Sequence, residues 1–322
     1  MKTRQIGQTG LSVTEVAFGC ASIGNLYREV SDVQAAAVLD AAWDGGIRYF
    51  DTAPHYGRGL SEQRLGAFLT RHPEARISTK VGRVLSPAKA PIAEADSYVN
   101  PAQNDVRYDY SADGIAESFE QSCARLGRSD VDILYVHDIG AYTHGAEANK
   151  AHMEDFLGSG YAQLRRLRDA GRIRAFGLGV NECEVCLDVM REAGPLDVIL
   201  LAGRLTLLDR SAEAELVPAC RAAGCSLVLG GVFNSGILAT GPTPGATYDY
   251  GPAPREILDR VGALEAQAAE HGLSLATAAL QFARQHPAVA SVLLGTAKPA
   301  SLLRNLEALA QPVPEAAAAL WR

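Results

Sequence analysis

A closed barrel of eight parallel strands, each followed by a helix, is the (β/α)8 fold this sequence predicts. Three observations lead there. Short apolar runs alternate with helix-period segments along the whole 322 residues. Eight strand-then-helix pairs can be counted, which favours closure over an open sheet. No G-x-G-x-x-G follows any of the runs, so the glycine fingerprint of an open dinucleotide-binding sheet is missing.

The elements follow in order. Arg4-Gln5-Ile6, a Gly7–Gly10 turn and Leu11-Ser12-Val13 predict a small hairpin placed to plug the amino end of the barrel. The first barrel strand, Val16–Gly19, precedes a helix over Asp32–Trp43, where Ala, Val and Leu recur at helical spacing. The strand Ile47–Asp51 precedes the helix Ser61–Thr70, and Ile77–Lys80 precedes Ala112–Leu126. Val131–Val136 precedes Gly160–Ala170, and Ile173–Gly179 precedes Glu182–Ala193. Asp197–Leu201 precedes Ala212–Ala223. Ser226–Gly230 precedes two helices, Arg255–His271 and Leu275–His286, and Val289–Leu294 precedes Pro299–Leu309. Asp44-Gly45-Gly46, Ala170-Gly171 and Ala223-Gly224 stand where helices end, because glycine takes the left-handed conformation cheaply. Ser111 and Ser211 are the expected N-caps of their helices. Neither a linker nor a repeat interrupts the pattern, so a single domain over 1–322 is expected.

Three connectors are long: 82–110, 138–159 and 239–254. All run from a strand to its helix, so all belong on the carboxyl rim, where barrels assemble their sites. Long connectors of this kind serve as lids or binding loops.

With 48% hydrophobic residues the chain can bury a large core. A net charge of -7 without a basic stripe argues against nucleic acid as a partner. No apolar run approaches the roughly 20 residues that span a bilayer, and the start lacks an apolar signal core. A soluble cytoplasmic protein acting on a small molecule is the expectation; the sequence does not set an oligomeric state. The six cysteines are dispersed. Cys183-Glu184-Val185-Cys186 has a metal or redox spacing, but no second pair accompanies it. Two packed thiols and no metal site are the reading.

Four residues stand at, or just past, the downstream ends of predicted strands: Asp51, Tyr56, Lys80 and His137. In a barrel those ends share one rim, so an acid, a phenol, an ammonium and an imidazole converge and form proton-transfer machinery. Taken singly, each has a plain structural explanation as a cap, a packing residue, a solvated amine or a core histidine; the pattern is what points to catalysis. A free phenol has a pKa near 10, and a nearby lysine cation favours the phenolate. Lowering that pKa by about two units takes about 2.7 kcal/mol of differential interaction.

Asp51-Thr-Ala-Pro-His-Tyr56-Gly57, with Lys80 at the end of the next strand and His137 after the one following, resembles the aldo-keto reductase family over the whole chain. The resemblance implies a nicotinamide cofactor and a carbonyl or alcohol substrate. Asp51 would be the counter-charge of Lys80, Tyr56 the general acid/base and His137 the group that positions the substrate oxygen and shares in the proton's path. Leu200–Asp209 and Gly230–Leu238 look like the branch that oxidises aldoses (L-fucose, L-galactose or D-arabinose type) at C1 to the lactone; pyridoxal 4-dehydrogenases are similar in the same segments. Asn181 would hold the nicotinamide carboxamide. Gly231, Phe233, Asn234, Ser235, Gly236 and Leu238 would line the pyrophosphate. Gly295, Thr296, Ala297, Ser301, Arg304 and Asn305 would surround the adenine ribose.

The chain departs from the family at Val180, often a serine, and at Ala202, often a glutamine. Gly295 and Ser301 stand where NADP-preferring members carry lysine and arginine. A ribose phosphate wants such cations, so NAD is expected to be preferred, with NADP still possible through Lys298 and Arg304. His55 and Tyr142 are the candidate substrate contacts, and Tyr108, Tyr110, Tyr248 and Tyr250 are further aromatic residues suited to stacking on a sugar or pyridoxal ring. Two other readings remain open: a cofactor-binding regulatory barrel without turnover, and a general carbonyl reductase using NADPH.

Overall fold

The computed structural model describes residues 1–321. Eight parallel strands close on one another in chain order. They are β1 (Val16–Gly19), β2 (Tyr49–Asp51), β3 (Arg76–Val81), β4 (Val131–His137), β5 (Ile173–Val180), β6 (Val198–Ala202), β7 (Ser226–Gly230) and β8 (Val289–Leu294). Closure is completed where Val292 to Leu294 of β8 pair with Val16 to Phe18 of β1.

Strand alternation sorts the side chains into two sets. Phe50, Ile77, Leu134, Val136, Phe176, Leu178 and Leu229 point outward into the apolar layer beneath the helices. Ala17, Tyr49, Ile133, Tyr135, Ala175, Val198, Leu200 and Val228 point inward and fill the barrel. The amino hairpin, Thr3–Gln5 against Ser12–Thr14, closes the lower end. Its Ile6, Leu11 and Val13 join the inward cluster, and Ser226 Oγ accepts from Gly7 N at 2.8 Å.

The predicted helices are present, with ends shifted by a residue or two. Ala112–Leu126 matches throughout, and Ser111 caps it by accepting from Gly114 N. Ser211 does not cap the helix predicted over Ala212–Ala223. A short 3-10 turn spans Ser211–Glu213, and the α-helix begins only at Leu216. Pro218 explains the delay: it lacks an N–H and is tolerated in a first turn but not in a helix interior. The Ser211 hydroxyl instead donates to Asp209 Oδ1 at 2.7 Å.

The three long connectors are ordered. The first forms two antiparallel ribbons, Arg83–Pro87 with Asn104–Tyr108 and Glu94–Ala95 with Tyr98–Val99. The second carries the helices Ala141–His144 and Ala146–Asp155. The third holds a turn of helix, Ile237–Thr240, and a ribbon pairing Thr247–Tyr248 with Gly251–Pro252. Among the described residues, no helix is long and apolar enough to cross a membrane.

Candidate active site

The last inward positions of three adjacent strands build the floor of the site. In β2 the inward pair is Tyr49 and Asp51, in β3 Ser78 and Lys80, and in β4 Tyr135 and His137. Their hydroxyls make a buried ladder. Ser78 Oγ donates to Asp51 Oδ1 at 2.7 Å, so the Tyr49 hydroxyl, 2.9 Å away, donates to Ser78, and Tyr135 lies 3.1 Å behind Tyr49. Lys80 Nζ donates to Asp51 Oδ2 at 2.6 Å and to the Thr52 carbonyl at 2.9 Å. Both charged side chains are at most 2% exposed. Burial pushes the Asp51 carboxyl up, and Lys80 and the Ser78 hydroxyl draw it back.

Tyr56 arrives from the loop after β2. Its backbone lies against Gly24, and the next residue, Gly57, has φ +62 and would drive any side chain into the Gly24 carbonyl. This close approach turns the phenol inward. Lys80 Nζ then stands 4.6 Å from the centre of the Tyr56 ring, and the Tyr56 and His137 rings meet edge-on at 5.8 Å. His55 completes the group, 5.8 Å from the His137 ring.

The electrostatics depart from the sequence expectation for the phenol. Burial drives Tyr56 well above its ordinary pKa, Asp51 and Asp138 add to the push, and Arg83 opposes it. The net direction is up rather than down because burial outweighs the lysine, which stands 4.6 Å from the ring and is paired with Asp51. Burial also holds His137 well below its usual range, reinforced by Arg83 and Lys80. His55 is pushed down to about 3 by burial, Arg83 and Lys80. The protonated phenol and two neutral imidazoles therefore face one space.

That space is a cavity of about 440 Å3, lined by Tyr56, Lys80, His55, His137, Tyr98 and Asn181 among others. Each long connector contributes to it: Asp96, Ser97 and Tyr98 from the first, Tyr142 and Thr143 from the second, Tyr250 from the third. Both candidate substrate residues, His55 and Tyr142, line it. Of the remaining loop tyrosines, Tyr110 is buried and its hydroxyl donates to the His137 carbonyl at 2.8 Å. Tyr108 stacks edge-on with His144, and Tyr248 donates to Asp209.

The expected cofactor residues occupy the neighbouring arc, on β5 to β8. Asn181 follows β5, and its Nδ2 donates to the Tyr250 hydroxyl at 3.2 Å. Gly231, Asn234 and Ser235 line a second cavity of about 180 Å3 with Gly203, Asn181 and Tyr250. Its floor has little side-chain bulk: a Cβ on Gly231 would sit 3.2 Å from Gly203 N. Asn234, Ser235 and Gly236 all have positive φ, a run that turns successive amides and suits a pyrophosphate held by backbone. The one carboxylate lining it, Asp249, is paired with Arg204 at 3.1 Å. These features fit the pyrophosphate of a dinucleotide.

Two residues of this set are occupied otherwise. The Leu238 side chain is fully buried and its N–H donates to the Phe233 carbonyl, so Leu238 supports the loop rather than lining the cleft. The Asn234 side chain accepts from Thr206 Oγ1 at 2.6 Å and donates to the Gly203 carbonyl, tying two rim loops together. Phe233 is partly buried against the core. Gly295, Thr296 and Ala297 follow β8, and Ser301, Arg304 and Asn305 lie on the helix Pro299–Ala310, with Arg304 Nη2 donating to Ser301 Oγ at 3.0 Å. Cys186 is buried and Cys183 half-buried, both as free thiols.

Sequence reasoning missed Ser78, Tyr27, Tyr98, Arg83 and Asp138. Ser78 was findable, since it lies two residues before Lys80 on the same strand face. Asp138 adjoins His137. For Arg83, Tyr27 and Tyr98 no sequence spacing gives a signal, because loop conformation brings them in.

The model of the Aldo/keto reductase family matches residues 15–322. A pyridoxal 4-dehydrogenase of Microbacterium luteolum is 44% identical, over 97% of this chain and 94% of its own length. A D-threo-aldose 1-dehydrogenase of a Pseudomonas species is 40% identical, over 97% and 93%. The holo form of an aldo-keto reductase from Bacillus halodurans superimposes with a TM-score of 0.77 at 25% identity, covering 100% of this chain and 97% of that one. Aldo-keto reductases are oxidoreductases that use nicotinamide cofactors. The chain belongs to the aldo/keto reductase family.

Proposed function

We propose that this enzyme oxidises a cyclic hemiacetal to its lactone with NAD, an aldose at C1 being the first substrate class. The carrying observation is the convergence of Tyr56, Lys80 and His137, with Asp51 bonded behind Lys80, on one cavity rimmed by Tyr27, Tyr98, Tyr142 and Tyr250. Aromatic walls suit the apolar face of a sugar ring, and Asp96, Ser97, Asp138 and Asn181 offer partners for its hydroxyls. Asn181 would hold the nicotinamide carboxamide and Gly231–Gly236 the pyrophosphate, and the bound cofactor would supply the two-electron acceptor for the hydride leaving carbon. The Tyr56 phenol exchanges the proton of the reacting hydroxyl. Lys80, fixed by Asp51, keeps a positive charge beside that phenol while the proton moves. His137 holds the reacting oxygen.

Pyridoxal is the second reading, favoured by the 44% identical relative. Its aldehyde and neighbouring hydroxymethyl group close into a cyclic hemiacetal, so the same proton and hydride movements yield a lactone. NAD is favoured over NADP because neither Gly295 nor Ser301 supplies a cation to a ribose phosphate.

Purified protein assayed with NAD and NADP against a panel of aldoses and pyridoxal tests the reading. Reduced cofactor and lactone with an aldose support the first class, and turnover of pyridoxal alone transfers the assignment to the second. Cofactor binding without turnover of either would overturn both and favour a regulatory barrel. More efficient use of NADP would refute the cofactor preference.

A further inference from the structure

A second buried cation stands behind the imidazole. Gly82, at φ +102, reverses the chain just past β3, and the Tyr110 ring fills the space where a side chain would be. The turn directs Arg83 back toward β4. Its side chain is 4% exposed. Nη1 lies 2.6 Å from His137 Nδ1, Nη2 donates to Asp138 Oδ2 at 2.7 Å, and the guanidinium stacks 5.2 Å from the Tyr108 ring.

The donor chemistry settles the ring's state. Arginine has donors only and does not lose its proton in proteins. His137 Nδ1 must therefore present a lone pair to it. An imidazolium would set one N–H against another beside a fixed positive charge. The single ring proton belongs on Nε2, which lies 3.4 Å from Asp138 Oδ2. Lys80, His55 and Tyr56 face the same ring from the pocket and supply no anion to stabilise a charged form.

We propose that Arg83, paired with Asp138, is a positioning residue that fixes His137 as the neutral Nε2–H tautomer, a hydrogen-bond donor that does not accept the substrate's proton. Proton uptake is thereby left to Tyr56. The functional meaning rests on the reading above; the tautomer itself does not.

Histidine-selective 15N NMR of the ligand-free protein is the test, with His137 assigned by the signal lost in His137→Gln. The expected spectrum has a pyridine-type Nδ1 and a pyrrole-type Nε2, unchanged from pH 5.5 to 8.5. In Arg83→Met the ring is expected to titrate within that range, because Asp138 is left without its cation. Arg83→Lys, which still donates and stays charged, is expected to keep the wild-type signature. A pyrrole-type Nδ1 or a titrating His137 in the wild type overturns the proposal, and this needs no Arg83 variant to fold. So does an Arg83→Met ring that behaves as in the wild type. A protein that turns over no substrate yet shows the expected spectrum would sink the proposed function and leave the role of Arg83 standing.

Discussion

Replacing Lys80 with methionine isolates the buried ion pair that anchors the site. The change keeps most of the side-chain volume but leaves the Asp51 carboxylate with only the Ser78 hydroxyl as a bonded partner. At 2.6 Å and an effective dielectric of about 20, the lost attraction is about 6 kcal/mol in gross terms. Measured losses for half-broken buried pairs are about 3–5 kcal/mol. A second limit comes from protonation. The orphaned carboxyl escapes its cost by taking a proton, which costs about 4 kcal/mol at pH 7 and about 1.5 kcal/mol at pH 5. The folded variant then binds one more proton than its unfolded state, so its stability falls as pH rises. Urea unfolding at both pH values is the assay. Lys80→Met is expected to be destabilised by about 4 kcal/mol at pH 7 and by less than half of that at pH 5. The double variant Asp51→Asn/Lys80→Met is expected to recover most of the loss, since two neutral partners carry no uncompensated charge. Equal deficits at the two pH values, or a double variant as unstable as the single, would refute the reasoning.

Other outcomes follow from the same geometry. Because burial and Asp51 hold the Tyr56 phenol well above its ordinary range, the oxidative rate is expected to climb about tenfold per pH unit from pH 7 to pH 9; a plateau near pH 7.5 in initial-rate measurements would contradict a protonated resting phenol. Gly82→Ala must fit a side chain against Tyr110 at a positive φ, and unfolding measurements are expected to show a loss of about 2–4 kcal/mol. Ser301→Arg places a guanidinium in the segment expected to surround the adenine ribose, and kcat/KM with NADP is expected to rise about tenfold or more relative to NAD; an unchanged ratio would remove that segment from ribose recognition.

The parts of the site legible in the sequence were those fixed by strand periodicity. Asp51, Lys80 and His137 close the inward-facing series of adjacent strands, so a count of apolar runs finds them. Tyr56 needed the motif around it, because a glycine contact with Gly24, not a strand, sets its direction. Arg83 was hidden for a different reason. It sits in a connector whose ribbon pairing, Arg83–Pro87 with Asn104–Tyr108, has no local signature. Leu238 shows the converse: it is expected among the cofactor contacts of a glycine-bearing loop, while its side chain is buried at the start of the helical turn Ile237–Thr240. Ser211 failed as a cap because Pro218 sets where that helix can begin. The phenol's pKa was misjudged by treating Lys80 and Tyr56 as an isolated pair; burial outweighs the lysine, whose charge is already matched by Asp51.

Lactone formation by Tyr56→Phe, set beside its affinity for NADH, bears most directly on the central claim. Removing one hydroxyl is expected to cut kcat by about 100-fold to 10,000-fold while leaving the NADH dissociation constant within about twofold. A variant that forms lactone at near wild-type rates would show that the proton leaves by another route.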